Sequence, residues 1–132
     1  MEKVYEYLKK CDVYYLATTD GDQPRVRPFG TIDIFEGKLY FQTGKSKAVA
    51  DQLKANQKIE ISGMADKNTW IRLSGKAILD DNNIAAQEHM LEAYPDLKAM
   101  YQPGDGNIEE YYITEATATI CSFTEPPIEI KF

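Results

Sequence analysis

Alternation of hydrophobic and polar residues dominates the chain and predicts a β-rich fold. Residues 13–19 are β-branched and aromatic, which favours a strand, and the turn signal at 20–22 leads into a second strand over about 23–35. Glu36-Gly37 then turns the chain into a third strand at 38–43. Similar patterns predict four more strands, at 58–64, 68–79, 111–123 and 128–132.

Helical spacing appears between these strands. Residues 1–10 predict a short amphipathic helix, and residues 46–56 predict a second with Ser46 as N-cap. A third is expected over about 84–93, followed by a short helical turn to about 101 and a loop at 102–107. Neighbouring strands joined by hairpin turns predict an antiparallel sheet closed into a barrel, with helix 46–56 over one mouth.

Composition narrows the class of protein. The length of 132 residues and the 43% apolar content predict a single domain, residues 1–132, with a real core. A net charge of −6 argues against nucleic acid or an anionic membrane surface as partner. No apolar run approaches a membrane span and no signal peptide is evident, so we expect a cytoplasmic protein with Cys11 and Cys121 reduced.

The charge is unevenly distributed along the chain. Residues 25–76 carry ten Lys and Arg against five Asp and Glu, whereas residues 80–115 carry nine acids and one Lys. A positive half inside an acidic protein suits a small anion held in a local pocket. The alternative is that the two halves solvate different faces. We expect the acidic run itself to be solvated surface, and His89 to lie on a solvated helix face rather than in a metal site.

Cations and short donors meet at two strand ends. Arg25 and Arg27 lie on a strand that Pro28 and Gly30 interrupt, which suggests close approach of a ligand to the backbone. The cluster Lys45-Ser46-Lys47 opens a helix, where backbone N–H groups and the helix dipole favour an anion. These features predict a small β-rich protein that holds a phosphorylated ligand.

The same segments resemble the pyridoxamine 5′-phosphate oxidase-like, FMN-binding split-barrel family. The matching pattern is Tyr15-Leu16-Ala17-Thr18, Gly21-x-x-Pro24-Arg25-x-Arg27-Pro28, Gly37-x-Leu39-Tyr40-Phe41-x-Thr43, Ser46-Lys47, Leu53-x-x-Asn56 and Trp70-Ile71-Arg72-Leu73-Ser74-Gly75-Lys76-Ala77. The resemblance implies a mainly β fold, a six-stranded antiparallel split barrel with helices. It also implies a homodimer with FMN bound at the subunit interface.

Residue by residue, the resemblance implies an FMN site. Arg27 matches the arginine that reaches the flavin and its phosphate, and Pro28, Phe29 and Gly30 match the backbone beside the isoalloxazine ring. The remaining expected cofactor-binding residues are the strand-end pair, the phosphate-binding turn with its preceding lysine, and two residues at the position where the second subunit closes the pocket: Gln42, Thr43, Lys45, Ser46, Lys47, Trp70 and Arg72. No catalytic residue and no metal site is predicted.

Two departures shape the functional expectation. The C-terminus, Glu129-Ile130-Lys131-Phe132, lacks the Arg-x-His pair of true pyridoxamine phosphate oxidases, so that activity is not expected. Gln42 also replaces a histidine found in the nitroimidazole-reductase-like branch. We expect an FMN-dependent oxidoreductase that passes electrons from NAD(P)H to a small electrophilic acceptor. The open alternatives are a non-catalytic flavin-binding carrier or redox sensor, and a split barrel that binds haem or deazaflavin.

Overall fold

The computed structural model describes all 132 residues and contains three α-helices and eight strands. The helices are α1 (Glu2–Cys11), α2 (Ala48–Ala55) and α3 (Ile84–Ala93), with a 3-10 helix at Pro95–Ala99. The strands are β1 (Tyr14–Asp20), β2 (Gln23–Phe29), β3 (Asp33–Phe35), β4 (Lys38–Gly44), β5 (Lys58–Gly63), β6 (Thr69–Leu79), β7 (Ile108–Ser122) and β8 (Ile128–Lys131). The predicted order of elements is therefore confirmed, except that one predicted strand is two in the structure.

All eight strands belong to one antiparallel sheet in the order β2-β1-β5-β6-β7-β4-β3, with β8 beside β7. The mainly β split-barrel class is confirmed, but the expected count of six strands is wrong. The strand predicted over 23–35 is two strands, because β2 leaves its ladder after Phe29 and β3 begins to pair only at Asp33. Pro28 and Gly30 lie beside this break, as the sequence suggested.

The interior of the barrel is filled by alternate residues of neighbouring strands. One cross-strand row runs through Leu16, Ile61, Leu73 and Ala118, and all four side chains are fully buried. Helix α2 adds its apolar stripe of Val49, Ala50 and Leu53 over one mouth, as predicted. Because each strand has a period of two, the residues between these positions point to the outer face of the sheet.

The barrel is split where β2 and β3, the two ends of the sheet, approach each other without pairing. Side chains bridge the split instead: Tyr14 Oη donates to Thr31 O at 2.5 Å, and Gln42 N donates to Thr31 Oγ1 at 3.0 Å. Phe29 packs edge-on against Phe41 with ring centroids 5.4 Å apart. The backbone of residues 30–32 therefore joins no ladder and lies beside the gap.

Helix α3 and the 3-10 helix cover the outer face of β3 and β4. A small second core of Tyr40, Ala86 and Met90 lies beneath them. Asn83 caps α3, because its Oδ1 accepts from Ala86 N at 3.0 Å. The outer face of β1 and β2 has no such cover and exposes large apolar side chains such as Tyr15 and Val26.

Two further observations concern the whole chain. Cys11 and Cys121 are both free, as expected. None of the helices combines the length and apolar character that crossing a membrane requires.

Candidate functional site

A cavity of about 230 Å³ lies at the split of the barrel. Seven of the eleven residues that the sequence predicts for the site line it. The complete lining is Arg27, Pro28, Phe29, Gly30, Thr31, Gln42, Thr43, Lys47, Val49, Leu97, Met100 and Tyr101. Residues from β2, β4 and α2 that are distant in sequence therefore meet around one opening.

Arg27 provides a fixed cation at the cavity. Its Nη1 donates to Thr18 Oγ1 at 2.8 Å and to Leu16 O at 3.2 Å, and its Nη2 donates to Gln52 Oε1 at 2.7 Å. A guanidinium carries five N–H groups, so two remain for a ligand. Burial and, second, the charge of Arg25 lower the pKa of Arg27, but an arginine remains protonated at neutral pH. The site therefore holds an oriented donor that is only partly used.

Arg25 has a different environment. Its guanidinium is exposed and lies 3.2 Å from Asp20 Oδ2, in an ordinary surface ion pair. It does not line the cavity. The two arginines of the motif are therefore separated by the structure into one that faces the site and one that faces solvent.

The second cation, Lys47, stands at the N-terminus of α2. Lys47 is the N-cap residue and makes no side-chain capping bond, so the prediction of Ser46 as N-cap is wrong. The chain turns through a Lys47 N to Gly44 O bond of 3.0 Å, which places the helix start one residue later. With no capping side chain, the N–H groups of Ala48 and Val49 keep no internal partner, whereas Ala50 N donates to Lys47 O at 3.0 Å. The two free N–H groups favour an anion.

Gln42 brings a side-chain amide to the cavity wall. The residue is 6% exposed, and its Oε1 has no hydrogen-bond partner. A buried polar atom without a partner is rare and calls for an explanation. With its amide at the wall, Gln42 joins Arg27 and Lys47 in fitting a group that has both a phosphate and hydrogen-bonding edges, as FMN has.

Five lining residues were not predicted. Leu97, Met100 and Tyr101 belong to the 3-10 helix and the turn after it, which fold back over the end of β4. A Cβ placed on Gly44 would meet Tyr101 Oη at 3.0 Å. Tyr101 can therefore pack this close to β4 only because residue 44 is glycine. Of the other two, Thr31 directly follows Gly30 and Val49 lies two residues after Lys47, and this closeness to the motif was the only available signal.

Four predicted residues lie outside this cavity. Lys45 lines a separate small cavity with Asp81 and Glu109, and Ser46 lies in the turn before α2. Trp70 and Arg72 are on β6, whose even-numbered residues point to the outer face. Arg72 shares a cross-strand row with Pro28, three strands away through Ser62 and Tyr15, or about 14 Å. Within one chain, Arg72 therefore does not reach the cavity.

A buried group of acids lies behind Gln42. Glu110 is 1% exposed, and burial, followed by the charges of Asp33 and Asp80, raises its pKa to about 9. Glu109 is also buried and pairs with Lys54 at 2.8 Å. The expectation that the acidic run is solvated surface is therefore wrong here, because the barrel covers one face of β7, and α3 with the 3-10 helix covers the other.

His89 lies on the exposed face of α3, as predicted, and its imidazole also contacts the barrel. Its Nδ1 lies 2.5 Å from Asp33 Oδ2, and its ring packs against Phe35 at 5.0 Å between centroids. No group of three or more His, Cys, Asp and Glu side chains is arranged to hold a metal ion.

The geometry agrees with a comparison of the sequence with protein families. A model of the pyridoxamine 5′-phosphate oxidase family matches residues 1–110. The chain belongs to this family. The match spans the cations, the split and the cavity wall described above. No curated protein matches the sequence.

Solved structures of other proteins share the fold. A NimC/NimA family protein from Clostridium acetobutylicum is 45% identical, with a TM-score of 0.94 over 98% of this chain and 90% of that one. An FMN-binding, pyridoxamine 5′-phosphate oxidase-related protein from Nostoc punctiforme is 18% identical, with a TM-score of 0.68 over 97% and 87%. A haem-binding protein from Mycobacterium smegmatis is 12% identical, with a TM-score of 0.69 over 96% and 57%. The last two likenesses concern the fold alone.

Proposed function

We propose that the protein binds FMN in the cavity at the barrel split and acts as a flavin-dependent oxidoreductase. Electrons would pass from NAD(P)H to a small electrophilic acceptor. The single observation that supports this most is the convergence of Arg27, Lys47 and the uncapped start of α2 on a cavity that residues 28–31 also line.

The cationic side of the cavity suits the phosphate of FMN. A phosphate monoester carries close to two negative charges near neutral pH. Arg27 has two free N–H groups, Lys47 adds a flexible ammonium, and the first N–H groups of α2 add neutral donors. Each charge-assisted bond contributes roughly 1.5–3 kcal/mol, so the two cations together account for a large share of the affinity.

The remaining lining suits the flavin ring, which when bound supplies the electron-accepting chemistry. Phe29, Leu97 and Met100 offer apolar surface to a flat ring, and Gln42 offers a polar group to one of its edges. The protein's own part is to bind and orient the ring and to limit access of water. No side chain is required as an acid or base in this scheme.

A homodimer completes the proposed site. The cavity is smaller than the roughly 300–1,000 Å³ typical of pockets for ligands of this size, so another wall is needed. Pro28 lies at the rim, and its strand pairs with Tyr15 on the uncovered outer face, where Tyr15 and Val26 are 50% and 67% exposed. Contact between two such faces would bury this surface and would let Trp70 and Arg72 of a second copy approach the cavity.

Flavin binding is tested by titration of the purified protein with FMN, followed by flavin fluorescence. Arg27→Ala combined with Lys47→Ala is expected to weaken binding by roughly 3 kcal/mol, about a hundredfold. Arg25→Ala is the matched control, because it removes an arginine two residues away that faces solvent, and it should change the affinity less than about twofold. Equal affinities in all variants would disprove the phosphate assignment.

Turnover separates the enzyme from a flavin-binding carrier or sensor. The FMN-loaded protein is mixed with NADH or NADPH under anaerobic conditions, and bleaching of the flavin absorbance is followed before and after a nitro or quinone acceptor is added. Reduction and reoxidation support the oxidoreductase. Flavin that stays oxidised supports the non-catalytic module. A haem or deazaflavin spectrum in the protein as purified would replace FMN as the ligand.

A further inference from the structure

The only buried side-chain atoms without a hydrogen-bond partner belong to two residues. They are Gln42 Oε1, Glu110 Oε1 and Glu110 Oε2. Gln42 and Glu110 are directly opposite each other in the β4–β7 ladder. Directly opposed residues of an antiparallel pair have Cβ atoms about 4.5–5.5 Å apart, so these side chains are neighbours on one face. One explanation should therefore connect the two residues.

The three atoms cannot satisfy each other while Glu110 is ionised. An amide oxygen and two carboxylate oxygens are all acceptors. A proton on Glu110 changes this, because a carboxylic acid carries an O–H donor. Burial without a partner penalises the ionised form strongly, so the environment itself favours the proton.

Each of the two carboxylates near Glu110 already has a partner on one of its oxygens. Asp80 Oδ2 accepts from Tyr40 Oη at 2.7 Å and from Asn83 Nδ2 at 2.9 Å. Asp33 Oδ2 lies against His89 Nδ1. Gln42 Oε1 is the buried acceptor that has none, which makes it the natural partner of a protonated Glu110.

We propose that Glu110 is a positioning residue: its protonated carboxyl donates to Gln42 Oε1 and thereby turns the Gln42 Nε2–H2 group toward the cavity. This inference rests on the proposed function, since it assigns a role within the flavin cavity. The ligand atom that meets Gln42 is then a hydrogen-bond acceptor, such as a carbonyl oxygen or unprotonated nitrogen of the flavin ring. Ionisation of Glu110 reverses the amide, because a carboxylate accepts from Nε2 and leaves Oε1 facing the cavity.

The surroundings place this reversal at mildly alkaline pH. Burial, then Asp33 and Asp80, raise the pKa of Glu110 to about 9. Burial also raises the pKa of Tyr14 well above its usual range, so this neighbour stays neutral there. The titratable groups on the elements packed around the cluster are Asp33 on β3, Asp80 after β6, His89 on α3, Tyr14 on β1, Tyr40 on β4, Tyr94 before the 3-10 helix and Tyr112 on β7.

The contact is tested first without flavin. The side-chain amide resonances of Gln42 are followed by nitrogen-15 NMR from about pH 6 to about pH 10.5, spanning the switch expected from burial of the acid. We expect them to titrate with one midpoint near 9 in the wild-type chain. In Glu110→Gln the amide at position 110 donates at every pH, so the Gln42 resonances should not titrate. Glu60→Gln, an exposed glutamate on β5, should leave the wild-type titration unchanged. Resonances of Gln42 that do not titrate in the wild type overturn the proposal, whatever the ligand is.

The role in binding is tested by the dissociation constant of FMN over the same pH range. Above the midpoint of the Glu110 titration, the FMN affinity of the wild type should fall about tenfold relative to that of Glu110→Gln. This is the effect of losing one neutral hydrogen bond. Gln42→Met removes the amide. In that background, Glu and Gln at position 110 should give the same pH dependence of FMN affinity. Equal pH profiles of the wild type and Glu110→Gln overturn the positioning role. No FMN binding at any pH overturns the proposed function and this role together, while the NMR titration still reports on the contact.

Discussion

Glu110 makes a quantitative prediction about stability that needs no ligand. Its carboxyl has a usual pKa of 4.5, and burial raises the pKa to about 9 in the folded chain. Between these values the folded chain keeps a proton that the unfolded chain releases. Stability therefore falls as pH rises through this window, and it levels off above about 9. This is opposite to the behaviour of an ion-paired carboxylate, which stabilises at higher pH.

The expected size of the effect follows from the shift. Each pH unit inside the window changes the free energy of unfolding by about 1.4 kcal/mol for one group. From about pH 5.5 to about pH 8.5, the contribution of Glu110 is therefore a loss of about 4 kcal/mol, a large part of the total stability of a small domain. Glu110→Gln keeps the shape of the side chain and removes the ionisation, so this slope should disappear.

The measurement is urea unfolding at several pH values, followed by the fluorescence of Trp70, the single tryptophan. The difference in stability between Glu110→Gln and wild type should grow by about 4 kcal/mol across this range, in favour of the variant at high pH. Glu60→Gln removes an exposed carboxylate from β5 and should follow the wild-type profile. Parallel profiles of wild type and Glu110→Gln would show that Glu110 ionises in the folded chain at ordinary pH and would refute the reasoning.

Three other predictions follow from packing. Gly75→Ala should lower stability by roughly 1–3 kcal/mol in the same unfolding assay, because the new Cβ would lie 3.1 Å from Thr114 O and 3.2 Å from Ala116 Cα, and both are backbone atoms. Gly44→Ala should weaken FMN binding by pushing on Tyr101 Oη, 3.0 Å away, and Tyr101→Phe in the same chain should restore it; loss without rescue would contradict this explanation. Light scattering should give twice the chain mass of 15.0 kDa, and Val26→Lys on the exposed outer face should shift it toward the single mass.

The sequence predicted the strands and helices well where the pattern of one face was decisive. Strand β5 alternates strictly between buried and exposed positions, and its predicted bounds of 58–64 differ from the structure by one residue. The break between β2 and β3 was harder to predict, because a strand that curls away from its partner keeps its alternation. Pro28 and Gly30 marked the place but did not define the new pairing that begins at Asp33.

The sequence predicted the cationic side of the cavity but not the opposite wall. Arg27 and Lys47 stood out because cations beside a glycine or at the start of a helix are typical of anion-binding sites. The wall made by Leu97, Met100 and Tyr101 has no such signature, since its position depends on how a short 3-10 helix packs over β4. Glu110 was overlooked for a related reason. Strand β7 was predicted to start at residue 111, which left Glu109 and Glu110 outside any predicted element. In the structure β7 begins at Ile108, and both residues are buried.

The charges around the cavity define an orientation for the proposed ligand. Arg27 is anchored to β1 and α2 through Thr18 and Gln52, so the cationic side is part of the barrel mouth. Gln42 is backed by Glu110, and beyond it lie Asp33 and Asp80. A phosphate placed at Gln42 would face this acidic group, whereas a neutral ring edge would meet an uncharged amide.

The nitroimidazole-reductase-like branch, which this chain resembles, carries a histidine at the position of Gln42. A neutral acid–amide pair behaves differently from a histidine at this position. An unperturbed histidine changes its charge near pH 6.5, within the physiological range. The Gln42–Glu110 pair carries no charge until Glu110 ionises at about 9, so its hydrogen-bond donor toward the cavity stays constant below that pH. The substitution Gln42→His should therefore introduce a pH dependence of FMN affinity near neutrality that the wild type lacks. An affinity that stays flat from about pH 5.5 to about pH 8 in this variant would show that position 42 does not contact the ligand.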